Sequence, residues 1–310
     1  MGDILKDKVA VITGAGGGIG SAEAIAMAAQ GAQVVVNDTG INHSSDNPHE
    51  SADQTVEAIK RAGGKAVASY DSVAIPEGAQ KIIQTAVDTF DRIDILVNNA
   101  GVFKIHPVDE MPPDEWDAVM KTHLYGTFYC THFAVPFMKK QGYGRIINTS
   151  SHVGFGQAGQ TTYAAAKEGI TGFARAVARE VAQYDITCNV IRPISYMKRR
   201  RKAGSPMEIN KPEDVAVFVA YLASESADHI NACVFEVWHG HVGIFTDPTP
   251  VEKVIWKNGD WTPEELMKAV PETLTGDRQR EKFPVSLPLW LERMIEAEGI
   301  TLDNLRRKPD

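Results

Sequence analysis

The stretch KVAVITGAGGGIG, residues 8–20, is a short apolar run that breaks into a glycine-rich turn. An apolar run of this length, without polar alternation, reads as a strand buried on both faces. Residues 21–30 are alanine-rich and helical, and Gly31 ends them. A second strand covers residues 33–37, and Asp38 closes it. This is a βαβ unit with a glycine-rich first turn. Glycines belong there because the backbone must approach a pyrophosphate, which then rests on the helix N-terminus. Gly14, Gly17, Gly18, Ile19 and Gly20 are therefore candidate cofactor contacts. Asp38 is placed to accept hydrogen bonds from an adenosine ribose and to repel a 2′-phosphate. No Lys or Arg occurs between Gly20 and Lys60 to neutralise that phosphate, so the expected cofactor is NAD rather than NADP.

The alternation continues along the chain. Residues 41–52 are polar and loop-like, followed by a helix at 52–62 and a strand at 65–70. Asp71 and Ser72 follow that strand, where Asp71 is placed to contact adenine. A helix at 77–90 leads to a strand at 93–97. It ends in Asn98, Asn99, Ala100 and Gly101, at the carboxyl edge where open α/β sheets bind ligands. A long helix at 113–139, a strand at 145–149, a helix to about residue 183 and a strand at 186–191 come next. A helix at 212–223 and a strand at 233–237 complete seven rounds of alternation. The fold class is therefore α/β, a doubly wound, mostly parallel, Rossmann-like sheet. From about Ile244 the pattern stops. Thr262 and Pro263 open one helix as cap and first-turn residue, and residues 286–299 hold another. The expected division is a nucleotide-binding domain at 1–243 and a C-terminal helical extension at 244–310, acting as a lid or an oligomer contact.

A second stretch, SHVGFGQAGQTTYAAAK at residues 151–167, carries candidate chemistry. Tyr163 and Lys167 lie four apart where a helix begins, so they share a face with side chains roughly 5–6 Å apart. A free phenol ionises near about pH 10 and is a poor base at neutral pH. A cation about 4 Å away favours the phenolate by roughly 4 kcal/mol at an effective dielectric near 20, or about three pKa units. Ser151 or Ser150 is placed to hydrogen-bond a substrate oxygen. Alone, such a Tyr–Lys pair is an ordinary surface pair. The glycine turn and Asp38 make it a candidate proton-transfer pair.

Composition narrows the classes. The net charge of −8 argues against general nucleic-acid binding. Cys130, Cys188 and Cys233 are isolated and read as reduced thiols. The first apolar run is too short for a membrane span, no signal peptide is apparent, and the terminal Arg-Arg-Lys-Pro-Asp is no peroxisomal tripeptide. The expectation is a cytoplasmic protein with a small-molecule substrate and neither membrane nor nucleic-acid partner. His43 and His49 lack a third clustered ligand, so no metal is expected.

Together these residues resemble the short-chain dehydrogenase/reductase family. The motifs are T-G-x-x-x-G-I-G at 13–20, N-N-A-G at 98–101, and Ser151 with Tyr163-x-x-x-Lys167. A strand ending in Pro193, followed by Ile194, stands where the family contacts the nicotinamide. The resemblance covers about residues 5–243. Within the family the chain is more similar to the (3R)-hydroxyacyl-CoA dehydrogenase unit of peroxisomal multifunctional enzyme type 2 and its bacterial relatives. That likeness rests on V-V-V-N-D at 34–38, G-G-K-A-V-A at 63–68, Y-D-S-V at 70–73, H-L-x-G-x-F at 123–128, Y-G-R-I-I at 143–147 and F-E-V at 235–237. It implies an NAD-dependent oxidoreductase interconverting a secondary alcohol and a ketone, with a 3-hydroxyacyl-CoA as substrate. A free steroid or alicyclic alcohol is the alternative substrate, and a non-catalytic NAD-binding sensor is the alternative of another class. The implied roles are Tyr163 as proton acceptor, Ser151 holding the substrate oxygen, and Lys167 tuning the tyrosine and bonding the nicotinamide ribose. A homodimer or homotetramer through the helices at 113–139 and 161–183 is also implied.

Four departures bear on the site. His123 stands where the family has Asn, which helps hold a water in the proton path, so His123 is either a relay or a packing group. Ser151 lies twelve residues before Tyr163 where the family's spacing is thirteen; the strand N-T-S-S favours Ser151, and Ser150 stays open. Ile194 follows Pro193 where Gly is usual, and His239-Gly240-His241 replaces a glycine-rich turn near the pocket wall. Phe103 and His152 join Ser151 as candidate substrate contacts. Lys198, Arg199, Arg200, Arg201 and Lys202 form a cationic run in the segment that covers the substrate in the family. Arginine recognises phosphate well, so the run is expected to steer or clamp the phosphates of coenzyme A; a solvated loop is the plainer reading.

Overall fold

The computed structural model describes residues 2–40, 49–194, 210–245 and 253–275. The chain divides into two compact units, Met1–Phe245 and Thr246–Asp310. In the first, a single sheet holds β1 (Val9–Thr13), β2 (Gln33–Asn37), β3 (Lys65–Ser69), β4 (Ile95–Asn98), β5 (Gly144–Thr149), β6 (Ile186–Pro193), β7 (Val234–Trp238) and β8 (His241–Ile244). The strand order is β3-β2-β1-β4-β5-β6-β7-β8. The order reverses between β1 and β4, so a crevice opens at their carboxyl ends, the usual ligand position in such sheets.

The sheet is sealed on both faces because its strands are continuously apolar. On β1, Ala10 and Ile12 enter one layer and Val9 and Val11 the other. A slip of one residue would exchange the two layers, so register is strongly specified. The first layer holds α1 (Gly18–Ala29), α2 (Glu50–Arg61) and, much later in the chain, α7 (Pro212–Leu222); α1 packs on α7. The second holds α3 (Pro76–Phe90), α5 (Gly126–Gln141) and α6 (Thr161–Val181), with the short α4 (Pro113–Met120) before α5.

Two expectations change. The long helix at 113–139 is two helices, joined by a π-helical turn at Lys121–Tyr125. Such turns insert a residue into the helical ladder and recur at functional sites; this one carries His123. The sheet also continues beyond residue 237. His239 and Gly240, the latter at φ 73°, make a two-residue turn, and β8 returns antiparallel to β7. The alternation in β8 is half exposed, which is why a search for buried apolar runs passes over it.

In the second unit, α8 (Pro263–Ala269) begins at a capping box. Thr262 Oγ1 accepts from the Glu265 amide, and Glu265 accepts from the Thr262 amide. The helix expected at 286–299 lies outside the described residues.

Candidate active site

The nucleotide end is built from backbone. Gly14 adopts φ 64°, and a Cβ there would stand 2.7 Å from the Ala100 Cα. A Cβ on Gly20 would stand 2.4 Å from the Gly14 carbonyl oxygen. At Gly18, by contrast, nothing lies within 4 Å of an added Cβ. The first turn of α1 carries no side-chain cap and no acidic residue, so its amides are free to meet an anion. Asp38 stands at the end of β2, accepting from the Gly16 amide at 3.0 Å and the Gly40 amide at 2.7 Å. This donor set fits a nicotinamide dinucleotide: amides for the diphosphate and a carboxylate for the ribose.

Not every predicted cofactor contact faces that crevice through its side chain. Asn98 is buried, donating to Asn148 Oδ1 at 2.8 Å and Thr131 Oγ1 at 3.2 Å. Asn99 donates to the carbonyls of Thr13 and Gly14. Thr13 Oγ1 accepts from the amides of Asn99 and Ala100. The Asn-Asn-Ala-Gly run thus clips the end of β4 to the glycine turn. Thr13, the far half of this clip, was visible only as the first letter of the glycine motif. At β3, Asp71 faces Lys81 at 3.8 Å and Ser72 accepts from the Ala74 amide. Pro193 ends β6, and the buried Ile194 donates its amide to the Val237 carbonyl.

The candidate catalytic end lies where β5 passes through a short 3₁₀ turn, His152–Phe155, into α6. Lys167 Nζ is 5.5 Å from the Tyr163 ring centre and donates to the Thr149 carbonyl. Burial pushes the Lys167 pKa down to about 7. Phe103 and His123 both meet the Tyr163 ring edge-on, at 5.0 and 5.1 Å. His123 Nε2 lies 2.7 Å from the Val102 carbonyl oxygen and 3.1 Å from its amide nitrogen, while Nδ1 is buried without a hydrogen bond. Burial, with the Lys167 charge adding to it, lowers the His123 pKa to about 3 and keeps the ring neutral. A Cβ on Gly101 would stand 2.3 Å from His123 Cε1, so the glycine of the motif makes room for this ring.

The two serines separate. Ser150 is buried and donates to the Lys167 carbonyl at 2.7 Å, tying β5 to α6. Ser151 is half-buried and caps the 3₁₀ turn, its Oγ accepting from the Val153 amide at 3.2 Å. His152 is buried among Trp238, Phe155 and Phe245. Its pKa is lowered to about 4 by burial and the Arg192 charge. The cationic run Lys198, Arg199, Arg200, Arg201 and Lys202 lies outside the described residues, as does His43.

Fold and site define a nicotinamide-dependent oxidoreductase of the doubly wound class. A family model of short chain dehydrogenases matches residues 8–202. "Peroxisomal multifunctional enzyme type 2" of Drosophila melanogaster is 46% identical over 225 residues, covering 71% of this chain and 37% of that protein. "Hydroxyacyl-CoA dehydrogenase ChsB1" of Mycobacterium tuberculosis is 33% identical over 301 residues, covering 90% of this chain and 92% of that protein. A crystal structure of a short chain dehydrogenase from Mycobacterium avium superposes with a TM-score of 0.79 at 37% identity, over 89% of this chain and 97% of that one. The chain belongs to the short-chain dehydrogenase/reductase family. It spans little more than a third of the peroxisomal relative's length. Among the described residues no helix is long and apolar enough to cross a membrane.

Proposed function

We propose that this chain is an NAD-dependent dehydrogenase of a 3-hydroxyacyl-CoA. The observation that carries the chemistry is Lys167 Nζ held 5.5 Å from the Tyr163 ring centre at the start of α6, with Ser151 capping the turn that leads from β5 into that helix. Tyr163 takes the proton of the substrate hydroxyl, and Ser151 holds the same oxygen. The bound nicotinamide supplies the hydride acceptor. Lys167, driven towards neutrality by burial, is poised to change charge near physiological pH, and its cationic form favours the phenolate of Tyr163. Ser150 serves as a strand-to-helix tie, and His123 as a neutral packing group behind Tyr163. Amides of the 14–20 turn would hold the diphosphate, Asp38 the adenosine ribose and Lys167 the nicotinamide ribose. Asp71, Ser72 and the backbone of Asn98, Asn99, Ala100, Gly101, Pro193 and Ile194 would line the rest.

NAD is favoured over NADP because Asp38 places a carboxylate where a 2′-phosphate would sit, with no Lys or Arg from Gly20 to Lys60. The thioester substrate is supported by the name of the Mycobacterium tuberculosis relative, a hydroxyacyl-CoA dehydrogenase. The buried thiols of Cys130 and Cys188, neither in a disulfide, suit a reducing compartment such as the cytoplasm. The core at 1–243 is taken as the catalytic domain, with 244–310 as an appended lid or oligomer contact, and the oligomer as a homodimer or homotetramer. The test is NADH formation at 340 nm with a 3-hydroxyacyl-CoA against a panel of secondary and steroid alcohols, each with NAD⁺ and NADP⁺. Thioester turnover with NAD⁺ is expected. Turnover of free alcohols alone would replace the substrate class, and preference for NADP⁺ would overturn the role of Asp38.

A further inference from the structure

Arg192 lies at the end of β6 with 2% of its surface exposed. A buried cation is costly unless it is paired and hydrogen-bonded. Its Nη2 donates to Glu168 Oε2 at 2.7 Å and to Thr171 Oγ1 at 3.2 Å, both on α6. Its Nη1 donates to the Ser151 carbonyl at 2.9 Å. The guanidinium carbon lies 4.1 Å from the centre of the Phe155 ring, at the far end of the same turn. One rigid fork therefore holds β6, the catalytic helix and the serine turn together.

Apart from Arg192, ring packing holds the turn, His152 against Trp238 and Phe245 and Phe155 against Phe245, and none of these contacts fixes the Ser151 backbone. Within it, the Val153 amide donates to Ser151 Oγ and the Gly154 amide to the Ser151 carbonyl. A single 3₁₀ turn of four residues is not stable by itself. Gly154 is shaped to the pair: a Cβ there would stand 2.8 Å from Glu168 Oε2 and 3.0 Å from Arg192 Nη1. The arrangement also leaves Arg192 Nε buried without a partner, which stability alone would disfavour.

We propose that Arg192 is a positioning residue: it anchors the Ser151 turn to α6 and so sets where the Ser151 hydroxyl meets the substrate oxygen. The proposal rests on the assignment of Ser151 and Tyr163 made above. It also explains how Ser151 is held at a spacing one residue shorter than the family's. The family resemblance pointed to Pro193 and Ile194, yet a cation directly before them, at the end of an apolar strand, was the available signal.

The experiment compares Arg192→Met, Arg192→Lys and Glu168→Gln by kcat, KM for NAD⁺, NADH affinity and amide exchange of the segment 151–156. Arg192→Met should lower kcat about 30-fold or more, leave KM for NAD⁺ and NADH affinity within about twofold, and speed exchange in 151–156 about tenfold. Arg192→Lys, which keeps the charge without the fork, should recover part of kcat. A kcat within about threefold of wild type, or a fall in NADH affinity that tracks kcat, would overturn the proposal. Should Arg192→Met fail to fold, Glu168→Gln decides, since Glu168 is about half exposed. It should lower kcat several-fold with faster exchange in 151–156, and no change in either would overturn the proposal. If wild-type protein turned over no substrate, the functional reading would fail, while the exchange measurement, which needs none, would still decide whether Arg192 holds the turn.

Discussion

Glu23 on α1 and Lys167 on α6 are both sealed from water, one on the helix that follows the glycine turn and one a helical turn from Tyr163. Burial drives each towards its neutral form, Glu23 up to about 8 and Lys167 down to about 7. Their surroundings differ. Lys167 has the Thr149 carbonyl as acceptor and Tyr163 one turn away. Neither carboxyl oxygen of Glu23 has a hydrogen-bond partner. At Lys167, desolvation brings the group near neutral pH beside the proposed proton acceptor. At Glu23 the same desolvation serves no hydrogen bond, and the nucleotide contacts proposed above are backbone amides and Asp38. The lesson is that a displaced pKa marks function only when the geometry around it supplies a task.

The contrast breaks most visibly at the glycine turn. Gly20→Val should abolish nucleotide binding altogether, read by NADH fluorescence, because the new side chain would collide with the Gly14 carbonyl and the Asn99 amide group. Next in size, Ser151→Ala should lower kcat about 100-fold with NADH affinity retained. Ser150→Ala should instead cost about 1–2 kcal/mol of stability, the magnitude of a lost buried hydrogen bond, and leave kcat within about threefold. Equal kinetic losses at both serines would collapse the distinction between them.

The smallest effects sharpen the Glu23–Lys167 comparison, and they run in opposite pH directions. Folded Glu23 keeps its proton until about pH 8, whereas the unfolded side chain loses it near 4.5. Stability therefore falls as pH rises between these values, and Glu23→Gln should stabilise more at pH 8 than at pH 5. Folded Lys167 loses its proton near pH 7, whereas the unfolded side chain keeps it to about 10.5. Its cost is full below pH 7 and fades towards 10.5, so Lys167→Met should stabilise most at low pH. Denaturant midpoints across pH 5–9 check both slopes, and parallel slopes would refute the comparison.

How much of this was legible in the sequence follows from what each part is made of. The βαβ unit, the alternation and the sheet class were readable because they rest on glycine, on apolar runs and on helix stops. Tyr163 and Lys167 were readable because helical spacing converts directly into a shared face. Which serine turns inward was not, because a two-residue ambiguity is resolved only by the packing of Ser150 on the Lys167 carbonyl. The clip between Thr13 and Asn99 joins residues 86 apart, and no local pattern reports it. Arg192 and Glu168 are likewise brought together from 24 residues apart by the return of the chain from α6 to β6. The strand β8 escaped because its alternating, half-exposed pattern differs from that of the buried strands before it.

The most direct measurement is on Tyr163→Phe, with NADH binding and NAD⁺-dependent alcohol oxidation followed on the same sample. The expected result is wild-type NADH affinity with turnover reduced about 100- to 10,000-fold, the range for loss of a positioned general base. Turnover within about tenfold of wild type would contradict Tyr163 as the proton acceptor, and with it the catalytic reading of this site.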